Sequence, residues 1–373
     1  MLWFSGRYCY IYNMEKETKP SFADIACDLR SRKIKNVFFK QMNTLIDWRP
    51  ISNIINKHYE KGESAVGSPS YPGLLLFKMS LLQTWYGLSD YEIEDRLNDS
   101  ISFSQFCKLP MDYVSPDHST LSRFRTVLTK KGVYEKLFKQ LNKQLEKNKI
   151  IVKSGAIVDA SITDSPLKPK GKTNYEITED RDETPRDEAE RNKEDKAQKL
   201  LRTEQPGVDD EAKWIKKAGK LRYGYKKHKV TDEEGLVLGV VTTSANVNEI
   251  TNLEEVLDAA DLPEDIYLYG DKGYQSEKNQ TLLKSKKLKD RILSKAKKGI
   301  PLTERQKLRN KLIGKTRFKI ERTFGSIKRW FNSNYARYKG LAKTHTQHLL
   351  EAMAYNLYRS PGIIASNSLK TMK

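Results

Sequence analysis

The sequence predicts an α/β protein in which a mixed sheet flanked by helices follows an all-helical N-terminal region. Three observations carry this prediction. Residues 49–150 place apolar side chains at helical spacing, such as Ile51, Ile54 and Ile55. After residue 151, short apolar runs typical of strands alternate with amphipathic segments, which indicates a mixed sheet. Neither common Gly-rich phosphate loop is present, so a doubly wound nucleotide-binding fold is not expected.

Turn residues divide the helical region into short helices. Tyr71-Pro72-Gly73 precedes an apolar helix over 74–86, and Gly87-Leu88-Ser89 precedes a helix that Ser89 or Asp90 can cap. The segment 115–120 opens the next helix with Pro116 in its first turn, and a last amphipathic helix spans 134–148. Short helices joined by tight turns fit either a helix-turn-helix array or an ordinary helical bundle, and both interpretations stay open.

The second half of the chain predicts strands and helices in alternation. The predicted elements are a strand at 156–160, a hairpin of 223–230 and 236–242, a helix at 248–260, a strand at 266–269, a helix at 276–287, a strand at 289–294, and helices at 303–331 and 345–358. The charged stretch 164–220 is expected to be an insertion without a packed core of its own. The predicted domains are 49–150 and 151–360, with 1–48 as an N-terminal extension and 361–373 as a tail.

The positive charge of the chain is concentrated in one segment. The 373 residues carry 68 Lys and Arg against 48 Asp and Glu, a net charge of +20. Residues 284–343 contain 21 Lys or Arg and only three acids, whereas residues 176–195 contain ten acids and four Lys or Arg. Aromatic side chains stand among the cations of 284–343. A polyanion partner such as DNA is therefore favoured over a merely solvated helix face.

Cysteine usage and hydropathy indicate a cytoplasmic protein with no membrane partner. The three cysteines are far apart and form neither a metal-ligand spacing nor a disulfide framework, which is typical of a reducing interior. The longest apolar stretch, 73–87, contains Lys78 and is too short to span a bilayer. The first 13 residues lack the features of a signal peptide, and Met14 is an alternative start.

Three acids are candidate metal ligands. Asp159 lies inside the apolar run AIVDASI, where an ionised carboxylate needs a partner or a metal. Asp271 follows a predicted strand in the sequence GDKGY, and Glu321 lies in the basic helix. Two strand carboxylates and one helix carboxylate can converge at one end of a mixed sheet, and such a set suits Mg²⁺ ions that bind phosphate oxygens. A turn cap is the alternative role for a single acid of this kind.

Two further acids are rivals for these positions. Asp164 competes with Asp159, but it precedes Pro166 in a predicted loop. Glu304 competes with Glu321, but it stands at a helix start, where a capping role is sufficient. The acids inside the strand and inside the helix are therefore preferred.

Three cationic or titratable side chains are candidates for phosphate contacts. Arg317 and Lys328 fall on the same helical face as Glu321, four residues before it and seven after it. A routine ion pair with an exposed lysine explains the same spacing. His228, at the end of YGYKKH, either approaches the scissile phosphate or faces solvent from its strand.

Several motifs resemble one known family. The segments VDASITDSP, YGYKKHKVTDEEGLVLGVVTTSANVNE, YLYGDKGYQS and RFKIERTFGSIKRW resemble the core of bacterial insertion-sequence DDE transposases of the families numbered four and five. YPGLLLFKMSLLQTWYGLSDYEIEDRLNDSISFSQFC and PDHSTLSRFR resemble the helical N-terminal domain of the same group. The resemblance covers most of residues 50–358. It implies a ribonuclease-H-like catalytic domain with Asp159, Asp271 and Glu321 as metal ligands, and Mg²⁺, or Mn²⁺ in its place, as cofactor.

The resemblance also implies an activity. The expected protein binds the terminal inverted repeats of its element through the 50–130 helices, cuts DNA with the help of the metal, and transfers the strand into target DNA. It is expected to act as a homodimer in the synaptic complex, associated with the bacterial nucleoid. The alternatives are a nuclease without strand transfer and a non-catalytic DNA-binding regulator. The expected DNA-binding residues are Arg317, Lys328, His228, Arg322, Trp330, Arg123 and Arg125.

The family signature around the acid of the basic helix is matched at three of its four positions. Arg317, Glu321 and Lys328 fit the spacing of its Arg, Glu and Lys. Gly314 stands where the signature has Tyr. Because that Tyr is tied to a hairpin intermediate in related enzymes, the sequence leaves open whether such an intermediate forms.

Overall fold

The computed structural model describes residues 33–59, 71–110, 113–170, 175–178, 199–202, 207–217, 219–296 and 299–371. Helices make up the first part of the chain. They are α1 (Lys33–Leu45), α2 (Trp48–His58), α3 (Gly73–Tyr86), α4 (Asp90–Asp99), α5 (Ile101–Cys107), α6 (His118–Lys130) and α7 (Val133–Lys147). α1 lies within the predicted N-terminal extension, yet its Phe39 and Met42 are buried in the main apolar core.

Strands and helices alternate after residue 151. They are β1 (Gly155–Asp164), β2 (Tyr175–Thr178), β3 (Lys199–Arg202), β4 (Lys213–Lys217), β5 (Lys220–Asp232), β6 (Val237–Ser244), α8 (Leu253–Ala260), β7 (Tyr267–Gly270), α9 (Glu277–Ser285), β8 (Lys289–Ile292), α10 (Glu304–Phe331) and α11 (Leu341–Thr371). The predicted hairpin and the predicted strands and helices are confirmed. β2, β3 and β4 lie within the polar stretch that was expected to be an insertion.

Capping residues set where two of the short helices begin. Ser89 and Glu92 form a reciprocal capping box at the start of α4, as the turn before it predicts. At α6 the predicted start is wrong. Asp117 is the N-cap and accepts a hydrogen bond from the Thr120 N–H, so Pro116 lies before the helix and not in its first turn.

α3 is apolar on every side because it is surrounded by the rest of the protein. Nearly all of its side chains, including Leu76, Leu81 and Trp85, are buried. Its apolar run therefore belongs to the core. Within the described ranges, no helix is both long and apolar enough to cross a membrane.

The helical region and the sheet share one apolar core. The cluster that includes Phe106 and Leu137 of the helical region continues into Val158 of β1 and Met353 of α11. Hydrogen bonds also cross between the two parts: the Trp85 indole N–H donates to the Ala354 carbonyl at 2.8 Å. The packing is therefore continuous across the predicted boundary near residue 150, and the division into separate domains stays a prediction.

The main sheet has the strand order β6-β5-β1-β7-β8, with β4 paired to the first part of β5. β1 and β5 are antiparallel, as are β5 and β6, whereas β1, β7 and β8 run parallel. α10 covers one face, where Ile320 and Phe324 pack on Ile157. α8 covers the other face, where Ala260 approaches Gly239 of β6. This mixed sheet between helices is the predicted ribonuclease-H-like architecture.

Arg125 is part of the core and not of a DNA-binding surface, so the expectation that it binds DNA is wrong. Its side chain is 4% exposed and forms a 2.7 Å ion pair with Asp90. Its guanidinium also lies over the Tyr338 ring, 4.4 Å from the ring centre. Arg123, two residues earlier on α6, is exposed and donates to the hydroxyls of Ser119 and Thr120.

Replacing Arg125 with Met should lower the free energy of unfolding by about 3 kcal/mol, because removal of one partner leaves the Asp90 charge largely buried and unpaired. Urea denaturation at pH 7.5 measures the change. Arg123→Met is the matched control and should change stability by less than about 0.5 kcal/mol. Equal effects of the two substitutions would contradict the assignment of Arg125 to the core.

His228 is fully buried on β5, so neither expectation for it holds: it does not face solvent, and it cannot reach DNA. Its Nε2 lies 3.1 Å from the Thr243 hydroxyl, and its Nδ1 has no hydrogen-bond partner among the described residues. Burial, and to a smaller degree the nearby Lys226, lowers the pKa of His228 to about 3. The ring is a neutral core side chain.

The buried His228 should make the protein less stable in acid. An unfolded chain takes up a proton on this ring below about pH 6.5, whereas the folded chain keeps it neutral down to about pH 3, so stability is lost as the pH falls. In urea denaturation, the difference between His228→Gln and wild type should move by about 2 kcal/mol in favour of the variant between pH 7.5 and pH 5. An unchanged difference would mean that the folded ring is accessible to protons.

Candidate active site

The strand register brings Asp159 and Asp271 together. β7 pairs with β1 from Gly155 to Val158, and its last residue, Gly270, lies opposite Val158. Asp159 is therefore the first residue of β1 beyond the end of β7, and Asp271 is the first residue after β7. Because the two strands are parallel, both carboxylates stand at the same edge of the sheet.

β1 continues past this point and leaves an opening along one side. On the β7 side, the next chain segment to pair with β1 is 334–336, which reaches it at Asp164. α10 runs along the opening, since Arg317 contacts Asp159 and the end of the helix leads into 334–336. The carboxylates therefore lie in a notch with strand on one side and helix on the other.

Arg317 bridges the two carboxylates. Its guanidinium nitrogens lie 3.5 Å from Asp159 Oδ2 and 3.5 Å from Asp271 Oδ1. The side chain is only 10% exposed, so its charge faces the acids and not solvent. Arg317 was expected to hold phosphate; in this structure both of its ion-pair partners are the acids.

The site carries more negative charge than Arg317 neutralises. Burial, with smaller contributions from the charges of Asp271 and Glu249, raises the pKa of Asp159 to about 6. A hydrogen bond from the Ala160 N–H and the charge of Arg317 oppose it. Hard carboxylate oxygens that are crowded and partly buried are the donor set that a divalent cation such as Mg²⁺ prefers, so the residues fit the predicted metal.

Glu321 is placed near this site but does not contact the two aspartates. It lies one turn beyond Arg317 on α10 and is exposed. Among the described residues, no three acidic, histidine or cysteine side chains stand at metal-ligand spacing. The structure brings together two of the three predicted ligands, and the role of Glu321 stays a prediction.

The two rival acids have other partners. Asp164 lies at the far end of β1 and receives two hydrogen bonds from Arg222, at 2.8 and 2.7 Å. Glu304 is exposed at the start of α10 and pairs with Lys307 at 2.7 Å. Thr303 and Gln306 form the capping box of that helix, so capping does not involve Glu304.

Lys328 lies in a strongly positive environment at the other end of the opening. It is eleven residues after Arg317, or about 16 Å along the helix. Burial, together with the charges of Lys227, Arg222 and Lys217, lowers the pKa of Lys328 to about 8. An ammonium surrounded by other cations attracts an anion such as a phosphate group.

The outer side of α10 is a basic surface. Its exposed cations are Arg305, Lys307, Lys311, Lys315, Arg322 and Arg329. Arg322, a predicted DNA contact, also donates to the Glu234 carbonyl at 3.4 Å. Trp330, another predicted contact, packs against Tyr358 and keeps 40% of its surface exposed.

Sequence reasoning missed two residues at the site, Glu249 and Tyr274. Glu249 follows β6 in a short 3₁₀ turn (Glu249–Asn252), and Tyr274 ends the 3₁₀ turn Lys272–Tyr274 that follows Asp271. β6 runs parallel to β1, so its carboxyl end lies at the same edge of the sheet. The position of Glu249 shortly after β6 was the signal that could have identified it. The prediction of the hairpin did not take that position into account.

Two family models match this chain. Residues 189–357 match a family model described as a transposase DDE domain, and residues 28–127 match one described as a transposase domain, DUF772. A solved structure of the piggyBac transposase synaptic complex with hairpin DNA is 11% identical, with a TM-score of 0.46 over 91% of this chain and 77% of that chain.

A curated relative is more similar in sequence. The transposase for insertion sequence element IS1106 of Neisseria meningitidis serogroup B is 32% identical over 269 residues, which are 70% of this chain and 86% of the relative. The two transposase domain matches lie in the same order as the helical region and the sheet described above. The chain belongs to the DDE transposases of insertion sequences, enzymes that act on DNA.

Proposed function

We propose that this transposase binds the terminal inverted repeats of its own insertion sequence, cuts the DNA strand there, and joins the freed 3′ end to target DNA. The observation that carries the proposal is the pairing of Asp159 and Asp271 in an open notch beside the basic helix α10. Acids that repel each other suit a divalent cation, and the surrounding cations suit the phosphates on which such a cation acts.

Asp159 and Asp271 would hold the cation, with Glu321 as a further predicted ligand. The expected metal is Mg²⁺, with Mn²⁺ as a substitute. When bound, it supplies an activated water and stabilises the leaving oxygen of the phosphodiester. Arg317, which pairs with both carboxylates at 3.5 Å, would be available to bind a phosphate if a cation took its place beside them.

The positive groups around the notch would orient the DNA. Lys328 lies among cations at the far end of the opening, and the outer cations of α10 extend that field over the helix. Arg123 is exposed on α6 of the helical region, which is proposed to bind the element ends. Two copies of the chain, as a homodimer, would hold the two ends of the element together.

Replacing Asp271 with Asn should reduce metal-dependent cleavage of end-sequence DNA by about a thousandfold, because loss of one carboxylate charge removes several kcal/mol of metal-supported stabilisation. Cleavage of labelled end DNA in Mg²⁺ measures this. Asp265→Asn is the control. Asp265 is 81% exposed and has a left-handed backbone that Asn tolerates, so cleavage should be unchanged. Cutting by Asp271→Asn at the wild-type rate would overturn the site.

Replacing Lys328 with Ala should weaken binding of end DNA and reduce the slope of log affinity against log salt by about one, because one phosphate contact is lost. Fluorescence anisotropy across a salt series measures both quantities. Lys284→Ala removes the same charge from an exposed position at the start of the basic segment and should have a smaller effect. Identical slopes for the two variants would contradict a specific role for Lys328.

Strand transfer distinguishes the proposal from a simple nuclease. Precleaved end DNA carrying a 3′-OH should be joined to a target plasmid by the wild type in Mg²⁺, and Asp159→Asn should abolish the joining. Cleavage without joining would favour a nuclease. DNA binding that depends on neither Mg²⁺ nor the carboxylates, without cleavage, would favour a regulator.

A further inference from the structure

Glu249 reaches the acidic notch from the face of the sheet opposite α10. Its carboxylate lies 3.6 Å from Lys226 Nζ. Lys226 and Lys227 alternate on β5, and Lys227 points toward α11, where it pairs with Glu351. Lys226 therefore points to the other face, and the segment 245–249 crosses β5 there to deliver Glu249 to the site.

Gly273 lets Glu249 approach the turn that carries Asp271. A methyl group on Gly273 would stand 3.1 Å from Glu249 Oε2 and 3.9 Å from Asp271 Oδ2. Both oxygens therefore lie over the same side of this glycine, and they are separated by no more than the sum of the two distances. The backbone of GDKGY at Gly273 therefore lies next to both carboxylates.

The carboxylate of Glu249 is held only loosely. Its contact with Lys226 is 3.6 Å long, beyond the range of a normal hydrogen bond, whereas the Lys226 ammonium donates at 2.7 Å to the Val247 carbonyl. The Glu249 side chain is 20% exposed. A carboxylate with this much burial and without a close donor among the described residues retains oxygens that can bind a cation.

Tyr274 supplies an independent sign that a group is bound in this region. Its side chain is fully buried, and its hydroxyl has no hydrogen-bond partner among the described residues. Its backbone N–H donates to the Asp271 carbonyl at 2.9 Å, which ties Tyr274 to the turn that carries Asp271. A buried polar atom without a partner on this turn indicates a bound water or ion beside it.

We propose that Glu249 is an oxygen ligand of the divalent-cation site formed by Asp159 and Asp271. This inference rests on the proposed metal-dependent function and adds a ligand that the sequence pattern did not indicate. Glu249 and α10 approach the aspartates from opposite faces of the sheet, so a cation in the notch would have carboxylate oxygens on the side away from the DNA-facing helix.

Binding of Mn²⁺ to the full-length protein without DNA tests the proposal, with free Mn²⁺ read from its electron paramagnetic resonance signal. Glu249→Gln should weaken the affinity about tenfold or more, as loss of a ligand or of a group that orients one does in other metal sites. Glu254→Gln, at an exposed position of α8 only five residues away, is the matched control and should bind like wild type. Asp159→Asn should lose binding.

The outcomes separate this inference from the proposed function. Wild-type affinity in Glu249→Gln together with loss of binding in Asp159→Asn would overturn the role of Glu249 alone. Absence of Mn²⁺ binding to the wild type, or unchanged binding in Asp159→Asn, would overturn both. If Glu249→Gln melts at a lower temperature than wild type, Glu249→Asp is the second variant to measure. It keeps the charge near Lys226 but shortens the side chain. Unchanged Mn²⁺ affinity in Glu249→Asp would also overturn the ligand role.

Discussion

The repulsion between the carboxylates of Asp159 and Asp271 is the constraint on which the arrangement of the site depends. The two acids occupy equivalent positions along adjacent parallel strands, and Asp159 is the more buried of the two. Burial is the largest cause of the raised pKa of Asp159, and the charges of Asp271 and Glu249 add to it against the opposing charge of Arg317. Such a site costs folding free energy, which binding of the proposed cation would offset.

The rest of the fold holds these charges in place. Ile320 and Phe324 of α10 pack on β1, which fixes the helix against the sheet and points Arg317 at the aspartates. α11 is tied to the same sheet face by the buried pair of Lys227 and Glu351. Because the helical region packs on α11 in one continuous core, a strained site is supported by the stability of the whole chain.

The cations of the basic segment differ in how deeply they are buried. Arg317 is buried and serves the acids, Lys328 is half-buried among other cations, and most of the remaining cations on α10 are exposed. On its inner side, α10 thus places the Arg317 charge against the acidic notch. On its outer side, it presents an extended positive surface. This division lets a single segment contact both the acids that are proposed to bind metal and a polyanion such as DNA.

The sequence by itself determined the order of the elements, the β5–β6 hairpin, the concentration of charge, and the positions of Asp159 and Asp271 at a strand edge. These features follow from local spacing, since the period of a strand or helix shows which residues share a face. The tertiary structure alone decided which of those faces are covered. Packing buried Arg125 and His228, which were expected at the DNA, and the crossing of segment 245–249 brought Glu249 to the aspartates. Burial and long-range approach depend on partners distant in the chain, and the spacing within one element carries no information about them.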